Sequence, residues 1–122
     1  MDAKKRVLIC DDEEGIRESL RLILEDNYEL TMTKNGKECL EALAKDKDIK
    51  AVLMDIKMPK QNGLEITREL KKRFPDVKVV IVTGYASTEI AQEAFSFGAD
   101  AYIPKPFDTN NILQTITKIT NA

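Results

Sequence analysis

The chain has 122 residues, 43% of them hydrophobic and 33% charged, with a formal net charge of −2, which suits one compact domain over residues 1–122 and is too short for two. The charge balance argues against a nucleic-acid-binding module. No apolar run approaches the roughly 20 residues of a membrane span, and no signal-peptide apolar stretch follows Met1, so the expected location is cytoplasmic.

The complete absence of histidine excludes Ser-His and Cys-His pairs, a histidine general base and a histidine phosphodonor within the chain. Cys10 and Cys39 lie inside apolar patterns and are far apart in sequence, so they read as core side chains rather than zinc ligands.

Arg6 to Cys10 forms a continuous apolar strand that ends in Asp11-Asp12-Glu13-Glu14. A helix follows with Ile16, Leu20, Ile23 and Leu24 on one face, closed by Asp26-Asn27. Tyr28 to Thr33 alternates apolar and polar, the pattern of a strand covered on one side only, as at a sheet edge. Asn35-Gly36 is a turn signal. The next helix turns Cys39, Leu40, Leu43 and Ala44 inward. Ala51 to Met54 is a second continuously apolar strand, and it runs into Asp55. Lys57 to Asn62 reads as a loop ending at Gly63. A third helix, Leu64 to Phe74, repeats Ile66, Leu70 and Phe74. Val77 to Val82 is rich in β-formers and ends at Thr83-Gly84. Ser87 or Thr88 caps a fourth helix carrying Ile90, Ala91, Ala94 and Phe95. Ala101-Tyr102-Ile103 is a short strand stopped by Pro104, which confines it to an edge or an end. Asp108 or Thr109 caps a last helix with Ile112, Leu113, Ile116 and Ile119 inward.

Strand and helix alternate five times, the order of a parallel sheet covered on both faces. The first, third and fourth strands are continuously apolar and belong in the centre. The second and fifth belong at the edges. With right-handed crossovers the strand order is 2-1-3-4-5, a (βα)5 flavodoxin-like three-layer sandwich. In such a sheet ligands bind beyond the carboxyl ends of the strands. Asp11, Asp12, Asp55, Thr83 and Lys105 all fall there. Taken singly, each has a plain alternative: a solvated helix start for Asp11-Asp12, a turn residue for Asp55, a β-former for Thr83, a surface charge for Lys105. Together they place three carboxylates in one crevice, where like charges about 4 Å apart repel by roughly 4 kcal/mol at an effective dielectric near 20. A cation relieves that repulsion. Oxygen ligands alone call for a hard ion, Mg²⁺ or Mn²⁺ in its place. That set suits phosphoryl chemistry, with an Asp as nucleophile, a Lys neutralising charge and a Thr hydroxyl bonding a phosphoryl oxygen.

The motifs Asp11-Asp12, Asp55-Ile56-Lys57-Met58-Pro59 with Gly63, Thr83-Gly84, Gly98-Ala99-Asp100-Ala101-Tyr102 and Lys105-Pro106-Phe107 run along essentially the whole chain. In that combination the sequence resembles a two-component response-regulator receiver domain of the CheY-like superfamily. The resemblance implies that Asp55 accepts a phosphoryl group from a sensor histidine kinase or histidine phosphotransfer protein. It implies direct Mg²⁺ ligation by Asp12, Asp55 and the backbone carbonyl of Lys57, with Asp11 acting through a metal-bound water. Lys105 would pair with the phosphoryl group, and the Lys105–Pro106 peptide would be cis. Thr83 would move toward the phosphoryl group and Tyr102 would turn inward, altering the face made by the fourth helix, fifth strand and fifth helix, where an output partner or domain would bind. Ile90, Phe95 and Phe97 read first as core side chains, and as candidates for some exposure on that face. The implied protein is a signalling switch that catalyses its own phosphoryl transfer and dephosphorylation, a monomer or a phosphorylation-dependent dimer, with no nucleic acid bound by this domain and no membrane contact.

Lys57 and Tyr85, two residues beyond Asp55 and Thr83, flank the path of attacking water and read as residues that tune the acyl-phosphate lifetime, or as loop side chains shaping partner contact. Three other readings compete. An FMN protein of the same sheet would need a hydroxyl- and amide-rich first loop where Asp11-Asp12-Glu13-Glu14 stands. A haloacid-dehalogenase-type phosphatase would need an acid at Lys57. A partner-binding scaffold without phosphorylation would not need the full residue set. The chain ends after the last helix, which leaves open a stand-alone regulator, a phosphorelay intermediate or a domain of a larger protein.

Overall fold

The computed structural model describes residues 4–84 and 87–121. Five parallel strands form the main sheet: β1 Lys5–Cys10, β2 Tyr28–Thr33, β3 Ile49–Met54, β4 Lys78–Thr83 and β5 Ala101–Pro104. Their spatial order is β2-β1-β3-β4-β5. The helices are α1 Glu14–Leu24, α2 Gly36–Lys45, α3 Gly63–Arg73, α4 Thr88–Ser96 and α5 Thr109–Thr120. The three continuously apolar strands are central and the alternating and proline-stopped strands are edges, as their patterns require.

Side-chain alternation along each central strand divides the core in two. Leu8, Cys10, Val52, Met54, Val79 and Ile81 face the helices α2, α3 and α4, where Cys39, Leu43, Leu64, Leu70 and Ala94 meet them. Val7, Ile9, Ala51, Leu53, Val80 and Val82 face α1 and α5, where Leu20, Leu24, Ile112 and Ile116 complete the other layer. A continuously apolar strand is thus buried on both faces, which is why it shows no alternation. Cys10 and Cys39 are buried free thiols.

Side chains cap the starts of four helices, α2 to α5. Asn35 Oδ1 accepts from the Glu38 N–H at 2.8 Å, Asn62 Oδ1 from Leu64 at 2.8 Å, Ser87 Oγ from Ile90 at 3.1 Å and Asp108 Oδ1 from Asn111 at 2.7 Å. Each satisfies a backbone donor that the first helical turn leaves unpaired.

Two details differ from the sequence reading, and one open alternative is resolved. Ala44 is exposed, because it lies beyond the arc of α2 that meets the sheet. Of the three candidates for exposure on the α4 side, Phe95 is 51% exposed, while Ile90 and Phe97 pack half-buried against the core layer that contains Ala94. The Lys57 to Asn62 loop contains a small antiparallel ribbon, Lys57–Met58 paired with Gln61–Asn62. Its tip is Pro59-Lys60, with Lys60 at φ 61°.

Candidate functional site

The strand ends bring the acidic residues together. β1 delivers Asp11, whose N–H donates to the Thr33 carbonyl at 3.1 Å, and β3 delivers Asp55, whose N–H donates to the Cys10 carbonyl at 3.0 Å. These bonds continue the ladders one residue beyond the strands, so both carboxylates inherit the sheet's register. The ligand oxygens of Asp11, Asp12 and Asp55 all lie within 4.8 Å of one another. Asp11 is 2% exposed and Asp55 5%, and Asp12 is half-buried.

Lys105 enters from the loop after β5. Its N–H donates to the Thr83 carbonyl at 2.7 Å, and the Lys105–Pro106 peptide is cis. Its Nζ lies 3.1 Å from Asp11 Oδ2 and 3.6 Å from Asp55 Oδ1. Burial works against the ammonium, but the charges of Asp55 and Asp11 outweigh it and raise its pKa above the ordinary lysine value. Burial, reinforced by the Asp11 and Asp12 charges and only partly offset by Lys105, pushes the Asp55 carboxyl up to about 6. The Lys105 ammonium thus pairs with two of the three clustered carboxylates, Asp11 and Asp55. The excess of negative charge and the all-oxygen donor set fit a hard divalent cation.

Two backbone features hold the acceptor loop. The Gly63 N–H donates to the Ile56 carbonyl at 2.6 Å, and a Cβ at Gly63 would run into the Asp55 carbonyl. No residue but glycine allows α3 to start that close to Asp55. On the other side, Arg17 Nη1 of α1 donates to the Asp11 carbonyl at 2.8 Å, while Asp11 Oδ1 accepts from the Glu13 N–H at 2.9 Å. Arg17 was not legible as a site residue, since an arginine on an exposed helix face has the same sequence signature as a solvated one.

Thr83 is fully buried at the end of β4. Tyr102 lies on β5 opposite Ile81, half-buried against the core layer that contains Ile81 and Ala94. Lys57 opens the ribbon directly after the acceptor, with its side chain exposed. Tyr85 lies outside the described residues. Asp11, Asp12, Asp55 and Lys105 thus form one cluster, and Thr83 is joined to it through its carbonyl contact with Lys105.

The model of the response-regulator receiver domain matches residues 7–117. The chain is 36% identical to the chemotaxis protein CheY of Halobacterium salinarum over 119 residues, covering 97% of this chain and 98% of that protein. It is 36% identical to the response regulator MprA of Mycolicibacterium vanbaalenii over 109 residues, covering 88% of this chain but 47% of that protein. It therefore spans about half the length of the MprA relatives. A solved CheY-like receiver-domain protein from Methanospirillum hungatei superposes with a TM-score of 0.89 at 36% identity, covering 98% of this chain and 95% of that one. The fold and the matched family define a signalling module, and the chain belongs to the response-regulator receiver-domain family of two-component systems.

Proposed function

We propose that Asp55 is the phosphoacceptor of this receiver domain and that a divalent cation, Mg²⁺ or Mn²⁺, assists the transfer. The observation that carries this reading is the clustering at the strand ends: three carboxylates within 4.8 Å and the Lys105 ammonium 3.6 Å from Asp55. A carboxylate oxygen of Asp55 bonds to phosphorus while the donor's P–N bond, in a phosphohistidine, or P–O bond, in an acyl phosphate, breaks. The electron pair of that bond leaves on the donor. Hydrolysis reverses the state: water attacks phosphorus, the P–O bond to Asp55 breaks and the carboxylate returns. Asp12, Asp55 and the Lys57 carbonyl would hold the cation, with Asp11 reaching it through water. When bound, the cation supplies positive charge beside the transferring phosphoryl oxygens. Lys105 neutralises a further phosphoryl oxygen, and the Thr83 hydroxyl takes a hydrogen bond role toward the group.

The donor is a sensor histidine kinase or a histidine phosphotransfer protein. Thr83 and Tyr102 carry the signal to the face of α4, β5 and α5, where the half-exposed Phe95 offers an apolar contact to an output partner. Lys57 and Tyr85 tune the phosphoryl lifetime by shielding the acyl phosphate from water; an unchanged or longer lifetime in Tyr85→Ala would argue against that role. The main test is intact mass after incubation with acetyl phosphate, with and without Mg²⁺. The expected result is a gain of one phosphoryl group in the parent with Mg²⁺ and none in Asp55→Asn. No gain in the parent would overturn the assignment.

A further inference from the structure

The ribbon that carries the Lys57 carbonyl consists of two strands of two residues each. So short a pair does not hold itself in water, and its position depends on what it is tied to. Its base is tied to α3, its own continuation, by the Gly63 N–H to the Ile56 carbonyl and by the Asn62 cap. A third tie leads elsewhere. Gln61 Oε1 accepts the N–H of Gly36 at 2.6 Å, across 25 residues of sequence. Gly36 is the first residue of α2, so its N–H is one of the helix's unpaired donors. The approach is made possible by the missing side chain: a Cβ at Gly36 would meet Ile66 Cδ1 at 2.5 Å and Gln61 Oε1 at 3.1 Å. The same end of α2 also touches β1, because the Cys10 thiol donates to the Asn35 carbonyl at 3.4 Å. The start of α2 is thereby fixed to the strand that ends in Asp11 and to the ribbon that follows Asp55.

We infer that Gln61 is a positioning residue for the cation site, locking the ribbon to the start of α2 so that the Lys57 carbonyl is in place before the ion arrives. This rests on the proposed role of that carbonyl as a ligand. Without the Gln61 bond the ribbon must be ordered when the ion binds, and that ordering weakens affinity. By linkage the ion also strengthens the bond from Gly36 to Gln61.

The test is Mg²⁺ titration by calorimetry of the parent, Gln61→Met, which keeps the bulk and removes the oxygen acceptor, and Gln61→Glu, which keeps an acceptor. The expected dissociation constant rises roughly three- to tenfold in Gln61→Met and does not rise in Gln61→Glu. The Gly36 amide resonance is expected to shift on Mg²⁺ saturation in the parent and to lose that response in Gln61→Met. Equal affinity of Gln61→Met and parent, or a Gln61→Glu as weak as Gln61→Met, would overturn the inference while leaving the cation site standing. Absence of Mg²⁺ binding by the parent would overturn both.

Discussion

Asp46 and Asp55 lie near opposite ends of the same sheet, and their carboxyls are shifted in opposite directions. Asp46 is held below the usual carboxylate range by the Asp48 N–H, at 2.9 Å, and by the Arg6 guanidinium, at 2.8 Å. Nearby, Lys71 Nζ bonds Asp100 at 3.1 Å and the Val77 carbonyl at 3.0 Å, and Asp100 accepts the Val79 N–H at 2.9 Å. There each of these acids has its own cation and backbone donor, and the bonds fasten α2 to β1 and α3 to β4 and β5. At the other end Asp11 and Asp55 share Lys105 with Asp12 beside them, and Asp55 is pushed up to about 6. Charge that is matched locally serves the shape of the fold. Negative charge gathered on buried groups is the arrangement a bound cation would relieve.

The largest expected effect follows from removing the excess. In the metal-free protein the folded-state pKa of Asp55 exceeds its unfolded value, so the fold favours the protonated acid. Below about pH 4 both states are protonated and there is no penalty. From about pH 4 to 6 the unfolded state gives up its proton first, and stability falls as pH rises, levelling above 6. A shift of about two units corresponds to roughly 3 kcal/mol. Asp55→Asn is therefore expected to stabilise the chelator-treated protein at pH 7 by an amount of that order and to flatten its profile between pH 4 and 6, measured by urea unfolding. Mg²⁺ is the next lever. At one hundred times its dissociation constant it is expected to stabilise the parent by about 2.7 kcal/mol, with much less effect on Asp55→Asn; thermal melts with Mg²⁺ and with chelator measure both.

The paired end provides the contrast. Lys71→Met is expected to cost about 1 kcal/mol, with no dependence on Mg²⁺ and none on pH between 5 and 8. Arg6→Ala breaks a pair whose arginine side chain is 51% exposed, and its melting temperature is expected to stay within error of the parent. A Lys71→Met protein whose loss of stability depended on Mg²⁺ would blur the distinction between the two ends.

The strand and helix order was legible because burial on both faces writes itself as the uninterrupted runs of β1, β3 and β4. Asp11, Asp12, Asp55, Thr83 and Lys105 were legible because strand ends converge once the order is known. The links between distant side chains were not. Gln61 reaches Gly36 across 25 residues and Arg17 reaches the Asp11 carbonyl from α1, and a glutamine in a loop or an arginine on a helix has the same text whether or not it has a partner. The ribbon after Asp55 is too short for any periodicity. Helical period put Phe95 on the same stripe as Ala94 and could not decide between exposure and packing, because period reports a face of the helix and not how far the core reaches across it; Ala94 and Ile90 meet the core and Phe95 does not.

Whether a cation relieves the crowded carboxylates at the strand ends is read out by titrating the ¹³C-labelled Asp55 carboxyl by NMR with chelator and with saturating Mg²⁺. The expected midpoint is near 6 without metal and falls markedly when Mg²⁺ is present. A midpoint in the ordinary range near 4 that Mg²⁺ leaves unmoved would contradict this expectation.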